Sequence, residues 1–427
     1  MFALGFSAPA LAQVTRAEQQ MVATVDSEQQ RTIDLLEGWV NQNSGTLNFA
    51  GVRSVGEKVR AELEPLGFKV DWIDMTAAGR AGHLVARHKG KGRGKRLLLI
   101  GHLDTVFEPD SPFQRWSRAG NAATGPGAGD DKGGIAVMVS ALRAMKAAGT
   151  LDRADITVFL SGDEEDAGSP IELARRDLIA EGKRADVALD FEGLVQLNGQ
   201  DMGSTARRSS GEWVLKVTAA TGHSSGIFTP SAGSGAVYEL ARIVDTFRRE
   251  VPEDKLTFNV GIMAGGATAE LSEGRNQISA TGKTNIIPAI AIARGDLRAI
   301  SQDQIDRAKA KMTAIVAQPL RGAKAEITFE PGDYPPMSPT AGNRALLDRL
   351  NGVNRDLGLV EMGELDPVKR GAGDISFVAA DVDSLAGMGP SSRGDHAPGE
   401  TVYIDTIFKQ AKRAAILMSR LAAERRR

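Results

Sequence analysis

The sequence predicts an α/β protein in which helices cover both faces of a largely parallel β-sheet, with a smaller α+β domain inserted into the chain. Three observations support this fold class. Short, continuously apolar runs alternate with segments of helical periodicity in the first half of the chain. Potential metal ligands follow several of these runs, as they do at the carboxyl ends of parallel strands. After about Ser204 the order of the predicted elements changes.

Apolar spacing predicts the elements of the first domain. In chain order they are helices at residues 28–39 and 55–66, strands at 68–73, 82–87 and 96–101, a helix at 135–147, and strands at 156–160 and 187–191. The run RLLLIG is apolar at nearly every position, as in a strand that is covered on both faces. The alternation of strand and helix predicts a three-layer α/β/α sandwich.

A different order of elements follows. It consists of a strand at 212–219, a helix at 234–250, a strand at 256–263, a strand within 285–298, a helix that begins after Ser301, and a strand at 325–330. Ser301 caps its helix, with Gln304 completing a capping box. The order β-α-β-β-α-β is that of a ferredoxin-like split unit. We therefore expect an inserted domain at 208–333, between two segments of the larger domain at 28–207 and 334–427.

Composition limits the classes of function. The 427 residues contain 52 Lys plus Arg and 54 Asp plus Glu, so nothing favours binding to nucleic acid or to an anionic membrane. No apolar run is long enough to span a bilayer. The absence of cysteine excludes disulfides and thiolate ligands, so any bound metal must use histidine and carboxylate side chains.

Residues 1–27 are expected to be an export signal followed by an N-terminal extension. The apolar sequence MFALGFSAPALAQ places small residues at Ala10 and Ala12, before Gln13, as signal peptidase requires. This favours a periplasmic or secreted protein. The basic residues that usually begin a signal peptide are missing, which leaves a frayed N-terminal helix of a cytoplasmic protein as the alternative.

Potential metal ligands stand where several predicted strands end. They are His102 in LLLIGHLDTVF, Asp130 in GAGDDKGG, Glu164 and Glu165 in SGDEE, Glu192 in ALDFE, and His396 in RGDHAPGE. Imidazole and carboxylate are the ligand types of zinc and similar ions. The pattern predicts a hydrolase with two divalent metal ions, zinc in the first place, with Co²⁺ and Mn²⁺ as alternatives.

The neighbouring residues suit this chemistry. Asp104 is placed to fix the second ring nitrogen of His102. A carboxylate such as Asp130 has two oxygens and can bridge two cations. Of the adjacent Glu164 and Glu165, one can bind metal while the other takes a proton from the attacking water. Without the other motifs, this acidic run would be better interpreted as a solvated loop.

Together these motifs resemble the co-catalytic zinc peptidase superfamily of glutamate carboxypeptidase, acetylornithine deacetylase and succinyl-diaminopimelate desuccinylase. GHLDTVF, GPGAGDDKGG, the Glu-Glu pair, NVGIMAGG, NIIP and the terminal His loop occur in the family order, over about residues 32–419. The resemblance implies an α/β/α zinc-peptidase catalytic domain with an inserted dimerisation or lid domain. It also implies the following roles: His102 and His396 as terminal ligands, Asp130 as bridging ligand, Asp104 as the residue orienting His102, Glu164 as general base, and Glu165 and Glu192 as ligands of the two metals.

Other positions are less specific. Asp190 competes with Glu192, because some relatives use an aspartate near this point. In the inserted domain, His223 in TGHSSG resembles a histidine that stabilises the oxyanion in the partner subunit of a homodimer. Asn259 in FNVG and Arg298 in GDLR resemble substrate-binding residues, although a strand-end arginine is also common as a solvated charge. Residues 371–374 resemble a loop beside the substrate.

Three further segments match no motif of the site. His83 and His88 are expected at the surface. The glycine-rich segment 89–96 is expected to be a solvated hairpin loop.

The resemblance implies a zinc carboxypeptidase that releases a C-terminal amino acid from a small peptide or N-acyl amino acid. An N-acyl amino acid deacylase or a dipeptidase would use the same two metals. A non-catalytic metal-binding protein would require the loss of a ligand or of the base, and none is lost. A nucleotide-binding domain is a further alternative because of GPGAGDDKGG, but the segment lacks G-x-G-x-x-G opening a helix after the first strand.

Overall fold

The computed structural model describes residues 14–426. Residues 1–13, which hold the predicted cleavage site, lie outside the described residues. Within 14–426 the chain forms ten α-helices: α1 (Arg16–Ser27), α2 (Gln29–Val40), α3 (Phe49–Leu63), α4 (Lys132–Ala147), α5 (Ile171–Ala174), α6 (Arg176–Gly182), α7 (Gly235–Glu250), α8 (Gln302–Val316), α9 (Ala341–Asp356) and α10 (Ile404–Ala423). None of the helices in this range is both long and apolar enough to cross a bilayer.

The chain also forms nineteen β-strands within residues 14–426. Over the same described range they are β1 (Lys69–Asp74), β2 (Gly82–His88), β3 (Arg96–His102), β4 (Ser117–Ala119), β5 (Ala122–Thr124), β6 (Asp155–Ser161), β7 (Val187–Asp190), β8 (Val195–Leu197), β9 (Gln200–Gly203), β10 (Gly211–Ala219), β11 (Thr257–Gly266), β12 (Thr268–Leu271), β13 (Ile278–Thr281), β14 (Ile290–Arg298), β15 (Ala323–Phe329), β16 (Gly363–Glu364), β17 (Ser384–Leu385), β18 (Ser392–Arg393) and β19 (Thr401–Tyr403).

The chain divides into two compact units. The first comprises the described residues up to Ala206, then Pro339–Asp366, and the chain from Gly373 onward. The second comprises Arg207–Ser338 and the short segment Pro367–Ala372. The second unit is therefore inserted into the sequence of the first.

A six-stranded sheet forms the centre of the first unit. Its order is β1-β2-β6-β3-β7-β17, in which β6, β3, β7 and β17 are parallel and β2 is antiparallel to both neighbours. His102 lies opposite Ser161 of β6, and Ile100 lies opposite Asp190 of β7. The loops that follow these three strands thus leave the sheet at one edge, where open α/β sheets bind their ligands.

Helix α4 is buried on nearly every side because α1, α2 and α10 pack around it. A helix that is apolar on all faces is expected in such a position. It begins at Lys132, two residues after the predicted ligand Asp130. The packing of α4 therefore fixes the end of the loop that carries this ligand.

The prediction that His83 and His88 lie at the surface is wrong. Both are buried in strand β2. His83 Nε2 lies 2.9 Å from the main-chain oxygen of Ala174, and His88 Nδ1 lies 3.0 Å from that of Ala154. Because both side chains are buried, their ring nitrogens must find hydrogen-bond partners inside the protein.

The prediction of a hairpin at residues 89–96 is also wrong. This segment joins β2 to β3, which lie on opposite sides of β6 and do not pair with each other. It is held by hydrogen bonds from the Lys91 N–H to the Asp152 oxygen and from the Gly92 N–H to the Arg153 oxygen. A short glycine-rich loop can join two paired strands as a hairpin or can connect two strands that do not pair. Only the strand order of the sheet shows which of these it is.

The second unit contains a four-stranded antiparallel sheet with the order β11-β14-β10-β15. Helices α7 and α8 pack on one face, around a core that includes Trp213, Phe247 and Met312. This is the strand order of a ferredoxin-like unit, as predicted. The hairpin β12–β13 is an addition that the sequence analysis did not predict.

The predicted start of α8 is correct, because Ser301 accepts the N–H of Gln304. The capping box is not formed. Gln304 Oε1 instead accepts the N–H of Ile300 at 3.0 Å, one residue before the cap. The glutamine still satisfies a main-chain donor at the helix start, although not the predicted one.

Candidate metal centre

His102 ends strand β3 and is almost fully buried. Its Nδ1 lies 3.2 Å from the main-chain oxygen of Asp104 and 3.4 Å from the Asp104 carboxylate. Its Nε2 lies 3.0 Å from Asp130 Oδ1. Asp104 thus contacts Nδ1 and leaves Nε2 directed at Asp130. A metal-binding histidine is usually oriented in this way.

A glycine-rich loop carries Asp130. Gly127 has a φ of 77°, in the left-handed region that favours glycine. A Cβ on Gly129 would lie only 2.4 Å from the Cβ of Ser392. The loop therefore needs glycine at both positions to bring Asp130 close to the chain around Ser392.

Glu400 holds this loop from the other side. Its carboxylate accepts the N–H groups of Gly127, Gly129 and Asp130 at 3.2, 2.7 and 3.0 Å. Burial raises the pKa of Glu400 to about 7. Glu400 was not predicted from the sequence, although it follows His396 by four positions in the same short loop. Glu400 joins the loops of two predicted ligands.

Glu164 and Glu165 follow strand β6, and both are only partly exposed. Their main-chain N–H groups donate to the two oxygens of Asp104, each at 3.1 Å. Thr46 Oγ1 donates to the same carboxylate at 2.7 Å. Asp104 therefore fixes the main chain of the Glu-Glu pair as well as the ring of His102, a second role that was not predicted.

His396 contacts the second carboxylate oxygen of Asp130. Its Nε2 lies 3.2 Å from Asp130 Oδ2 and 3.1 Å from Glu165 Oε2. The residue has a φ of 64°, which is uncommon for any side chain larger than glycine and is often found at functional sites. The two imidazoles thus contact different oxygens of one carboxylate.

Asp190 is the last residue of strand β7 and Glu192 follows it by two positions, and both are buried. Asp190 Oδ1 accepts the N–H of Glu192 at 3.4 Å. The charge of Glu192 is close enough to Glu164 to raise the pKa of that residue. Glu192 therefore belongs to the same electrostatic cluster, and its choice over Asp190 as a ligand stays a prediction.

The cluster has an excess of acidic groups. Burial and the neighbouring Glu192 raise the pKa of Glu164 well above its ordinary value, and burial raises that of Glu165. Asp130 and Glu165 raise the pKa of His396 to about 11. Buried carboxyl groups that face one another repel, and bound cations relieve this repulsion.

The donor set fits divalent metals. His102, Asp130 and Glu165 each offer one ligand atom, and these three atoms lie within 4.8 Å of one another. Ligands about 2.1 Å from a tetrahedral zinc ion are about 3.4 Å apart, so little rearrangement is needed to share an ion. Asp130 has one oxygen near each histidine, and together the residues present would suit two divalent cations.

The predicted residues of the inserted domain all lie in the second unit. His223 is exposed, and its Nδ1 accepts the N–H of Ser225 at 3.2 Å. Asn259 and Arg298 lie on the neighbouring strands β11 and β14, and Arg298 Nε lies 3.0 Å from Asp296 Oδ2. In the register of these strands Asn259 lies opposite Asp296, so the three side chains share one face of the sheet.

Comparison with known proteins agrees with this geometry. The model of peptidase family M20/M25/M40 matches residues 98–420. Carboxypeptidase G2 of Pseudomonas sp. (strain RS-16) is 30% identical over 427 aligned positions, which cover 97% of this chain and 94% of that protein. A succinyl-diaminopimelate desuccinylase of Azoarcus sp. (strain BH72) is 26% identical over 383 positions, covering 87% and 93%.

Solved structures show the same fold. A tripeptidase from Staphylococcus aureus matches with a TM-score of 0.72 at 19% identity, covering 93% of this chain and 99% of that one. The YxeP protein of Bacillus subtilis, a dinuclear metal-binding peptidase, matches with a TM-score of 0.63 at 13% identity, covering 93% and 99%. At these identities the likeness concerns the fold alone.

Proposed function

This chain belongs to peptidase family M20/M25/M40, and from that premise we propose that it is a carboxypeptidase that releases a C-terminal amino acid from small peptides or N-acyl amino acids. As a member of this family it is a metal-dependent peptidase or amidohydrolase. The observation that carries the proposal is the placement of His102 and His396 on the two oxygens of Asp130. The alignment with carboxypeptidase G2 over nearly its full length supports the carboxypeptidase assignment.

The residues around this centre have separable tasks. Two divalent cations held by His102, Asp130, Glu165, Glu192 and His396 would polarise the scissile carbonyl and acidify the attacking water. Glu164 would take the proton of that water and deliver it to the leaving amine. Asp104 would keep the main chain of Glu164 at a constant distance from the ring of His102.

A hydrolysis screen tests the proposal. Zinc-loaded protein is incubated with N-acyl amino acids, dipeptides and folate-like glutamates, and the released amino acids are measured by chromatography. We expect release of the C-terminal amino acid. The Glu164→Gln variant is the control for contaminating peptidases and should retain about 1% of the turnover or less, because proton transfer contributes about 10² to 10⁴-fold. No release from any substrate by metal-loaded protein would overturn the proposal.

A deacylase of N-succinyl amino acids is the second candidate. It is favoured by the desuccinylases that align with most of the chain. The two candidates differ in the acyl group on the carbonyl side of the scissile amide bond. For a desuccinylase this group is a dicarboxylic acyl chain. A kcat/KM at least tenfold higher for N-succinyl substrates than for peptides and aromatic N-acyl substrates would select the deacylase.

We propose zinc as the native metal, with cobalt and manganese as alternatives. Borderline ions that accept both imidazole nitrogen and carboxylate oxygen suit this donor set better than Mg²⁺ or Ca²⁺, which favour oxygen alone. Elemental analysis of protein purified without added metal should find about two zinc equivalents. If another metal predominates in active protein, that metal and not zinc is the native one.

We also propose that the active form is a homodimer through the second unit, in which His223 serves the partner's metal centre. Within the described residues His223 Nε2 makes no hydrogen bond, and the hydrogen bonds between Nδ1 and Ser225 would hold the ring in place. Strand β11, which carries the exposed Met263, is an edge of its sheet. An unpaired edge strand is a surface that a second copy can cover.

Subunit mixing tests this arrangement. His223→Ala should keep its metals but lose about 100-fold in turnover, as when one oxyanion donor is removed. A mixture with Glu164→Gln should regain activity, because one hybrid site has both residues intact. Full activity of a monomer at high dilution, or no recovery despite proven subunit exchange, would contradict the cross-subunit role.

Finally, we propose export, with cleavage after Ala12. The support is the sequence Ala10-Leu11-Ala12 after an apolar segment. Mass spectrometry of the N-terminal peptide from periplasmic and cytoplasmic fractions tests it. A mature protein that begins at Gln13 in the periplasm is expected, and an uncleaved chain confined to the cytoplasm would refute it.

A further inference from the structure

A buried ionic network lies behind the loop that carries Glu164 and Glu165. At its centre, the side chain of Arg175 is fully buried. Its Nη1 donates to Asp163 Oδ1 at 2.7 Å and its Nη2 to the main-chain oxygen of Asp163 at 3.0 Å. Its Nε donates to Asp374 Oδ1 at 2.8 Å. Arg175 therefore holds the residue that precedes Glu164 by both its side chain and its main chain.

The remaining contacts anchor both ends of the loop. At its start, Ser161 Oγ donates to Asp374 Oδ2. Further along, the N–H of Gly168 donates to Asp163 Oδ2 at 2.8 Å. Each oxygen of the two aspartates thus has a donor, which is required of buried carboxylates. Both ends of the loop between Ser161 and Gly168 are thus hydrogen-bonded to Asp374 or Asp163, the two aspartates that form ion pairs with Arg175.

His83 supports the same loop from strand β2. Its Nδ1 accepts the N–H of Gly162 at 3.3 Å, so this nitrogen carries no proton. Its Nε2 must then donate to the main-chain oxygen of Ala174, 2.9 Å away. Burial lowers the pKa of His83, which agrees with a neutral ring. A neutral histidine thus links Gly162 at the start of the loop to the residue before Arg175.

Stability alone is a weak reason for such a network, since apolar side chains of similar volume are often as stabilising as a buried ion pair. A fully hydrogen-bonded buried network does impose one geometry on the chain. The chain it holds here is the one that presents Glu164 and Glu165. Proton transfer and metal binding both depend on placement to within a few tenths of an ångström.

We propose that Arg175 is a positioning residue. Through Asp163 and Asp374 it fixes the main chain of Glu164 and Glu165, so that the carboxylate that transfers the proton and the adjacent ligand carboxylate keep their separation. The assignment of those two tasks rests on the proposed function. Asp374, which is buried and pairs with Arg175 inside the first unit, thereby also has a positioning task.

The test compares two conservative variants of buried arginines. Arg175→Lys keeps the charge, but one ammonium cannot reproduce the three fixed donors of the guanidinium. Arg413→Lys is the matched control. Arg413 is equally buried, and it donates to Asp201 at 2.6 Å and to Asn354 at 2.7 Å. It belongs to α10, and its hydrogen bonds go to Asp201 of β9, Asn354 of α9 and Gln410 of its own helix.

Three measurements are made on metal-loaded protein: amide hydrogen exchange, zinc affinity by competition with a chelating dye, and steady-state kinetics. In Arg175→Lys we expect faster exchange of the amides at residues 163–168 and weaker zinc binding. We also expect a kcat about 100-fold lower with KM changed by less than about threefold, as for a misplaced catalytic group. Arg413→Lys should lose thermal stability but keep the wild-type kcat, zinc affinity and loop exchange.

An equal kcat in the two variants, or unchanged exchange of residues 163–168 in Arg175→Lys, would overturn the proposal. Should Arg175→Lys fail to fold, Asp374→Asn replaces it, because asparagine keeps the shape and one acceptor while weakening the bond to Arg175. Its expected results are the same, with smaller changes. If the wild-type protein had no hydrolytic activity, the proposed function would be wrong. Amide hydrogen exchange and zinc affinity would still decide whether Arg175 holds the loop.

Discussion

At the scale of single residues, the adjacent Glu164 and Glu165 are predicted to have different roles. Asp104 holds the main chain of both, but their surroundings differ, since Glu165 contacts His396 at 3.1 Å and Glu164 faces the charge of Glu192. Glu164→Gln should keep its metal and lose about 10² to 10⁴-fold in kcat, because only proton transfer is removed. Glu165→Ala should instead bind metal more weakly. Elemental analysis and steady-state kinetics on both variants measure this, and equal metal loss in the two would show that the roles are assigned wrongly.

At the scale of secondary-structure elements, β9, α9 and α10 meet at one buried cluster. Arg413 of α10 donates to Asp201 of β9 and to Asn354 of α9. Removing one partner leaves a buried charge unpaired, so Asp201→Ala should lower the free energy of unfolding by about 3–5 kcal/mol. Urea unfolding measures this, with Asp245→Ala on the exposed face of α7 as the control. An equally small effect of both substitutions would contradict the prediction.

The same cluster predicts a pH dependence. Burial raises the pKa of Asp201, but hydrogen bonds from Lys409, Gln196 and Arg413 lower it more, so that it lies below its ordinary value. Such a group stabilises the fold above its unfolded pKa of about 3.9, and this contribution is lost as the pH falls through the lower folded pKa. The difference in stability between wild type and Asp201→Ala should therefore be full above about pH 5 and shrink in stronger acid. A difference that stays constant down to about pH 2 would refute this linkage.

At the scale of the whole molecule, metal binding should stabilise the first unit, because every predicted ligand lies there. The unfolded chain has no preformed site, so free zinc at 100 times its Kd adds about 2.7 kcal/mol to the folded state. Calorimetry should show that EDTA lowers the transition of the first unit and leaves that of the second. Asp130→Asn should lose the response to zinc. A response of the same size in this variant would place the binding site elsewhere.

The sequence by itself predicted the main elements and several of the residues that the structure brings together around Asp130. The apolar run at 96–101 predicted β3 and placed His102 at the edge of the sheet, where the structure has it. The element order after Ser204 predicted the ferredoxin-like sheet of the second unit. These predictions succeed because periodicity and strand ends are properties of neighbouring residues, and parallel strands bring their carboxyl ends to one edge without further information.

Only the tertiary structure decided which distant residues hold that site in place. Arg175 meets Asp374 across 199 positions, and Glu400 meets Gly127 across 273. His83 is buried because β2 lies inside the sheet, and the segment at 89–96 crosses β6 because of the strand order. Hydrogen-bond partners far apart in the chain depend on the path of the backbone between them. No local pattern of residue types encodes that path, so these supporting contacts could not be predicted from the sequence.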